Sequence, residues 1–257
     1  MNQTDLLEEI LHLSRTAGEA IMPIYARDFA IDYKADESPV TEADIAAHKV
    51  IVAGLQKLTP STPILSEESA HIPWATRQTW DEYWLVDPID GTKEFIKKNG
   101  EFTVNIALIK DGKPVLGVVH APALNLSYLA ADAIGAFKEC GEARIELKVT
   151  KKANIGRINV VGSRSHPSPD LAAYLAQFED VEMIPKGSSL KLCLVAEGSA
   201  DIYPRLGPTS EWDTGAGHAV AAIAGATITQ IDGSPLTYNQ KDSYLNPYFI
   251  VSRLESQ

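Results

Sequence analysis

The 257-residue sequence predicts a layered α/β or α+β sandwich built in two lobes. Three observations carry that class. Residues 102–149 read as consecutive strands, with Asp111-Gly112 placed as a hairpin turn. From Arg157 onward, short apolar runs alternate with helical stretches. Between these regions the charged Lys148 to Asn154 stretch marks a boundary. It gives an N-terminal lobe of residues 1–150 and a C-terminal lobe of residues 151–257. A chain of this length buries one large core or two smaller ones.

The elements follow in order. Thr4 caps a first amphipathic helix to about Tyr25, with Leu7, Ile10, Leu11, Ile21 and Ile24 pointing inward. Phe29 to Lys34 alternates as a strand. Thr41 and Asp44 have capping-box spacing at the start of a helix over Glu42 to Leu58. Pro63 to Leu65 is a short strand ending on Ser66-Glu67-Glu68, and Trp74 to Tyr83 is a polar helix or loop. Trp84-Leu85-Val86 closes a buried strand, and a short helix follows Thr92. Strands are expected at Phe102–Ile109, Val115–Ala121, Leu126–Ala130, Gly135–Lys138 and Ile145–Val149. In the C-terminal lobe they fall at Arg157–Gly162, Val181–Ile184, Ala200–Tyr203, Thr227–Ile231 and Phe249–Val251. Helices there are Pro169–Phe178, Ser188–Glu197 and the small-residue stretch Thr214–Ala224.

Composition excludes several functions. Twenty-three basic against 34 acidic residues give a net charge of −11, which argues against a nucleic-acid polymer as partner. An anionic substrate needs a bound cation or local Lys and Arg to offset that field. The polar, acidic N-terminus does not read as a signal peptide, and no apolar run is long enough to span a bilayer. Cys140 and Cys193 suit buried thiols in a reducing cytoplasm. No P-loop, dinucleotide fingerprint, HExxH or GxSxG motif is present.

What remains is acidic residues at element ends. Asp87-Pro88-Ile89-Asp90-Gly91-Thr92 offers Asp87, Asp90 and the Ile89 carbonyl as hard oxygen ligands, suited to Mg²⁺ rather than Zn²⁺; alone, it also reads as an Asp-Gly turn. Of Glu67 and Glu68, strand alternation lets only one reach such a site. Asp213 opens a helix, either as its cap or as a carboxylate beside N–H groups that face an anion. Asp44 caps its helix or accepts a hydrogen bond from Thr92.

In order and spacing, Glu67, the Asp87–Thr92 stretch and Trp212-Asp213 resemble the signature of the inositol monophosphatase family, the lithium-sensitive Mg²⁺-dependent phosphomonoesterases. Lys34, Ser38-Pro39-Val40-Thr41, Gly162-Ser163-Arg164-Ser165-His166, Gly187-Ser188-Ser189-Leu190-Lys191 and Tyr203-Pro204-Arg205 look like its bisphosphate nucleotidase branch. The resemblance implies alternating αβαβα layers and two or more Mg²⁺ ions. One ion is held by Glu67, Asp87 and the Ile89 carbonyl, another by Asp87, Asp90 and Asp213. It implies a water positioned by Thr92 backed by Asp44, and phosphate bound by the Gly91 and Thr92 amides. Substrate contacts fall on Glu67, Ile89, Asp90, Gly91, Thr92, Ser163, Arg164, His166, Lys186, Ser188, Arg205 and Asp213.

The implied reaction removes the 3′-phosphate of adenosine 3′,5′-bisphosphate, a by-product of sulfate assimilation, to give AMP. The implied partner is therefore a small phosphorylated nucleotide and no protein. The implied location is cytoplasmic, with the inner membrane face described for bacterial relatives. Inositol monophosphate hydrolysis and a non-catalytic phosphate-binding module are the alternatives. An aspartyl-phosphate phosphatase is disfavoured, because it wants its two aspartates two positions apart near the N-terminus.

Overall fold

The computed structural model describes residues 2–33, 39–162 and 169–255. In chain order its elements begin with α1 (Gln3–Tyr25), β1 (Ile31–Tyr33), β2 (Pro39–Thr41), α2 (Glu42–Leu58) and β3 (Ile64–Ser66). A 3₁₀ turn at Glu67–Ser69 precedes α3 (Trp74–Arg77), β4 (Glu82–Asp90) and α4 (Thr92–Ile96). Five strands follow: β5 (Thr103–Lys110), β6 (Lys113–Ala121), β7 (Leu126–Ala131), β8 (Gly135–Cys140) and β9 (Ala143–Leu147). The remainder is β10 (Arg157–Gly162), α5 (Pro169–Leu175), β11 (Asp180–Pro185), α6 (Leu190–Ala196) and β12 (Ile202–Arg205), then α7 (Glu211–Ala224), β13 (Thr227–Gln230) and β14 (Phe249–Ser252).

Strands β3 to β9 form one seven-stranded sheet in sequence order, antiparallel except for the β3–β4 pair. A second sheet runs β11-β10-β12-β14-β13 and mixes parallel with antiparallel pairs. Both faces of the large sheet are buried, which is why its strands read as nearly continuous apolar runs rather than clean alternations. Trp84, Val86, Val104, Ile106, Leu116 and Val118 turn toward α1 and α2. Their alternates Tyr83, Leu85, Ala107, Ile109, Val119 and Tyr128 enter the core shared with α6 and α7. The outer face of the small sheet packs Ile158, Val160 and Ile202 against Tyr174 and Leu175 of α5. The layers are thus α1/α2, large sheet, α6/α7, small sheet and α5, the expected αβαβα order.

Helix α7 lies unusually close to the large sheet. A Cβ added at Gly117 of β6 would stand 2.5 Å from the Ala216 carbonyl oxygen and 2.7 Å from the Ala219 Cβ. The absent side chain lets the helix backbone rest on the strand, and α7 carries Asp213 in its first turn.

Several sequence expectations are corrected. The first helix is capped by Asn2, whose side chain accepts from the Asp5 N–H, not by Thr4. The Phe29–Lys34 strand shortens to Ile31–Tyr33, and Lys34 and Ser38 lie outside the described residues. Trp74–Tyr83 contains only a four-residue helix before β4 begins. Helix α7 starts three residues early, at Glu211. Cys140 is exposed at the end of β8, whereas Cys193 is buried as expected.

Candidate metal centre

Strand β4 does not stop at Val86 but continues through Asp90. Regular pleating would send Asp87 and Asp90, an odd number of positions apart, to opposite faces. Register resolves this. Asp87 pairs with Asn105 and Asp90 with Thr103, so three steps on β4 match two on β5. The extra residue is a bulge at Pro88-Ile89, where proline cannot donate to the ladder. It turns both carboxylates to one side. Gly91 then takes φ +89°, the left-handed region, and swings the chain into α4.

Two further carboxylates arrive from other elements. Asp213 sits in the first turn of α7, where one oxygen, Oδ2, accepts from the Ser210 N–H (3.0 Å) and the Thr209 hydroxyl (2.8 Å). The carboxylate thereby closes the capping box of α7 with Ser210, the cap expected of it. Glu67 leads the 3₁₀ turn after β3 and shares a hydrogen bond with Asp87. Glu68, the next residue, acts on His48 and, together with Glu67, on Asp44. Asp87, Asp90 and Asp213 each present an oxygen within 4.8 Å of the others.

Mutual repulsion and burial mark this cluster. Asp87 is fully buried, and desolvation with the charges of Glu67, Asp90 and Asp213 pushes its carboxyl well above the usual range. Asp213 is raised to about 7 by desolvation, then by Asp90 and Glu67. Carboxylates gathered this closely need a counter-charge to stay ionised together. The donors are all oxygens, with no His or Cys among them, and fit a hard divalent cation.

The Asp44–Thr92 pairing is not made. Asp44 closes the α2 capping box through Oδ2, which accepts from both the Thr41 N–H and hydroxyl at 2.7 Å. Burial lifts its carboxyl to about 6. Thr92 donates its hydroxyl to the Ile89 carbonyl at 3.4 Å, a long bond.

The remaining expected contacts divide. Ser188 is buried in the left-handed region at φ +46°, and its hydroxyl has no hydrogen-bond partner among the described residues. A Cβ on Gly91 would stand 3.3 Å from that of Ser188, so this turn lies against the end of β4. Lys186 pairs with Glu101 at 3.3 Å, and Arg205 donates to the Pro208 carbonyl of its own turn; neither reaches the carboxylates by these bonds. Ser163, Arg164 and His166 lie outside the described residues. Two residues with no role assigned from sequence, Asn105 and Ser189, enter the cluster. A lone amide in the apolar run Val104–Ile109 was the available signal for Asn105. Ser189 offered only its place in the Gly187–Lys191 motif.

Comparison with known proteins shows the family and the fold. The inositol monophosphatase family model matches residues 2–253. The Escherichia coli K12 protein named 3′(2′),5′-bisphosphate nucleotidase CysQ is 53% identical over 250 residues, covering 96% of this chain and 99% of that one. The Salmonella typhimurium protein of the same name is 52% identical over 250 residues. The crystal structure of CysQ from Bacteroides thetaiotaomicron superposes with a TM-score of 0.85 at 42% identity, covering 98% of both chains. A Thermotoga maritima IMPase gives 0.78 at 26% identity, covering 97% of this chain and 92% of that one. With its β4 bulge, convergent carboxylates and full-length similarity, the chain belongs to the inositol monophosphatase family.

Proposed function

We propose that the chain is a Mg²⁺-dependent phosphomonoesterase that converts adenosine 3′,5′-bisphosphate to AMP and phosphate. The observation that carries the reaction class is the meeting of Asp87, Asp90 and Asp213 on hard-cation spacing. The substrate rests on the 53% identity to proteins named bisphosphate nucleotidase. A cleft of about 1060 Å³, lined in part by Thr41, His71 and Trp212, meets the cluster at Glu67, although Asp87, Asp90 and Asp213 do not line it, and its size suits a nucleotide.

In this reading Glu67, Asp87 and the Ile89 carbonyl would hold one Mg²⁺, and Asp87, Asp90 and Asp213 would hold a second. When bound, such a pair neutralises phosphate charge, lowers the pKa of water and stabilises the attacking and leaving oxygens of an in-line displacement. The Gly91 and Thr92 amides orient the phosphoryl group. Thr92, with Asp44 behind it, would position the attacking water. Asp44, lifted to about 6, is suited to take a proton near neutrality. The Ser188 hydroxyl, with Ser163, Arg164 and His166, is assigned to the rest of the nucleotide. Lys186 and Arg205 join them only by leaving their present partners.

The setting that fits is the cytoplasm, where the reaction clears a by-product of sulfate assimilation; no helix of the described residues is long and apolar enough to cross a membrane. Phosphate release from adenosine 3′,5′-bisphosphate and from inositol 1-phosphate, with and without Mg²⁺ and Li⁺, tests the proposal. Mg²⁺-dependent, Li⁺-blocked release from the nucleotide is expected. Preference for inositol 1-phosphate overturns the substrate, and no release from either overturns the reaction.

A further inference from the structure

Ser189 occupies an unusual position among the described residues. It is 1% exposed and precedes α6, on a turn fixed at three points. Gly187 donates its N–H to Glu101 at 2.9 Å, Lys191 donates to the Ser188 carbonyl at 2.6 Å, and Ser188 holds a left-handed φ. That turn aims the Ser189 hydroxyl into the carboxylate cluster. Its oxygen lies 2.8 Å from Asp90 Oδ2 and in close contact with the Asp213 backbone carbonyl. From the third side Asn105 Nδ2 donates to it at 2.8 Å.

The donor count fixes the roles. A serine hydroxyl has one proton and two lone pairs. Asn105 fills a lone pair, so the one proton must go to Asp90 or to the Asp213 carbonyl. The carboxylate is the stronger acceptor. Asn105 is itself 1% exposed and stands opposite Asp87 in the β4–β5 register. Its own carbonyl oxygen has no hydrogen-bond partner among the described residues, and burial in the sheet holds the amide facing Ser189. A buried, fully directed donor thus reaches a carboxylate of the large sheet while its oxygen touches the backbone of α7.

We propose that Ser189, oriented by Asn105, is a positioning residue for the metal centre. It holds the Asp90 carboxylate in one rotamer and sets its separation from Asp213, so that the two arrive at the spacing a cation bridges. This rests on the metal reading above and adds to it a residue that touches neither metal nor substrate. Partners that orient metal-binding carboxylates typically govern affinity by about ten- to hundredfold.

The test is direct Mn²⁺ titration calorimetry on the full, metal-stripped chain, alongside the Mg²⁺ dependence of phosphate release. Ser189→Ala should weaken Mn²⁺ binding by about tenfold or more. It should raise the Mg²⁺ needed for half-maximal turnover in parallel, while the substrate KM at saturating Mg²⁺ stays within about twofold. Ser189→Thr, which keeps the hydroxyl, should bind within about threefold of the parent. Ser189→Cys, nearly isosteric with a weak donor, should follow alanine and serves if the alanine variant does not fold. Parent-like Mn²⁺ affinity in the alanine or cysteine variant overturns the proposal, as does a threonine variant as weak as alanine. A parent chain that binds no Mn²⁺ overturns the metal reading itself.

Discussion

Replacing Gly117 by alanine should damage the metal centre from two strands away. The new Cβ would lie 2.5 Å from the Ala216 carbonyl oxygen and 3.0 Å from the Ala216 Cα, both backbone atoms of α7. Ordinary contact begins at 3.4 Å, so strand and helix must separate by roughly 0.9 Å; no rotamer change can relieve a clash with backbone. Overpacking of this kind costs about 1–3 kcal/mol, or a Tm lower by about 2–12 °C for a chain of this size. The displacement is carried by the helix that holds Asp213, and shifts near 1 Å at reacting groups cost up to about a hundredfold in rate. Thermal unfolding and the Mg²⁺ dependence of phosphate release on the same samples provide the assay. Gly207→Ala is the control, because a Cβ there meets nothing within 4 Å and the backbone is unstrained. If Gly117→Ala melts with the parent and keeps its Mg²⁺ requirement, the claim that close α7 packing sets the site is refuted.

Asp90→Asn should reduce turnover by more than about a hundredfold. In chelator it should melt no lower than the parent, since a repelling charge is gone; parent-like turnover rejects its assignment as a ligand. Mg²⁺ must displace protons from Asp87 and Asp213, whose carboxyls are raised, the latter to about 7. The Mg²⁺-induced rise in Tm should therefore be larger at pH 8 than at pH 6, and an equal rise would contradict this. His120 and His218 are buried and held down to about 4 by desolvation, against an ordinary value of 6.5. Between those values the unfolded chain binds the extra protons, so their contribution is complete above about pH 6.5 and lost as pH falls toward 4. Each shift corresponds to roughly 3 kcal/mol. The raised carboxyls act with the opposite sign, so the difference between parent and His218→Gln isolates the histidine: the parent's advantage should shrink between pH 6.5 and 4, and a flat difference would refute it.

How much of this was legible in the sequence depends on distance along the chain. Asp87 and Asp90 share one motif, so their partnership could be read directly. What could not be read was the bulge that turns them to one side, because it exists only in the register against Asn105 and Thr103. Glu67 and Asp213 were identifiable by resemblance, but their meeting with Asp87 depends on β3 pairing with β4 and on α7 lying on the sheet. Asp44 satisfied two patterns, a cap and a partner for Thr92, and the local one holds here because three-residue spacing costs no tertiary rearrangement. The first cap went to Asn2 rather than Thr4 for a similar reason, since both residue types suit the position. Ser189 stood in the Gly187–Lys191 motif without a role of its own, because a hydroxyl acquires meaning only from what surrounds it.

That carboxylates from β4, α7 and the turn after β3 form one divalent-metal centre is tested most directly by anomalous diffraction from crystals grown with Mn²⁺. Peaks bounded by Glu67, Asp87, the Ile89 carbonyl, Asp90 and Asp213 are expected. Peaks elsewhere, or a full-occupancy ion that leaves Asp213 uncoordinated, would contradict it.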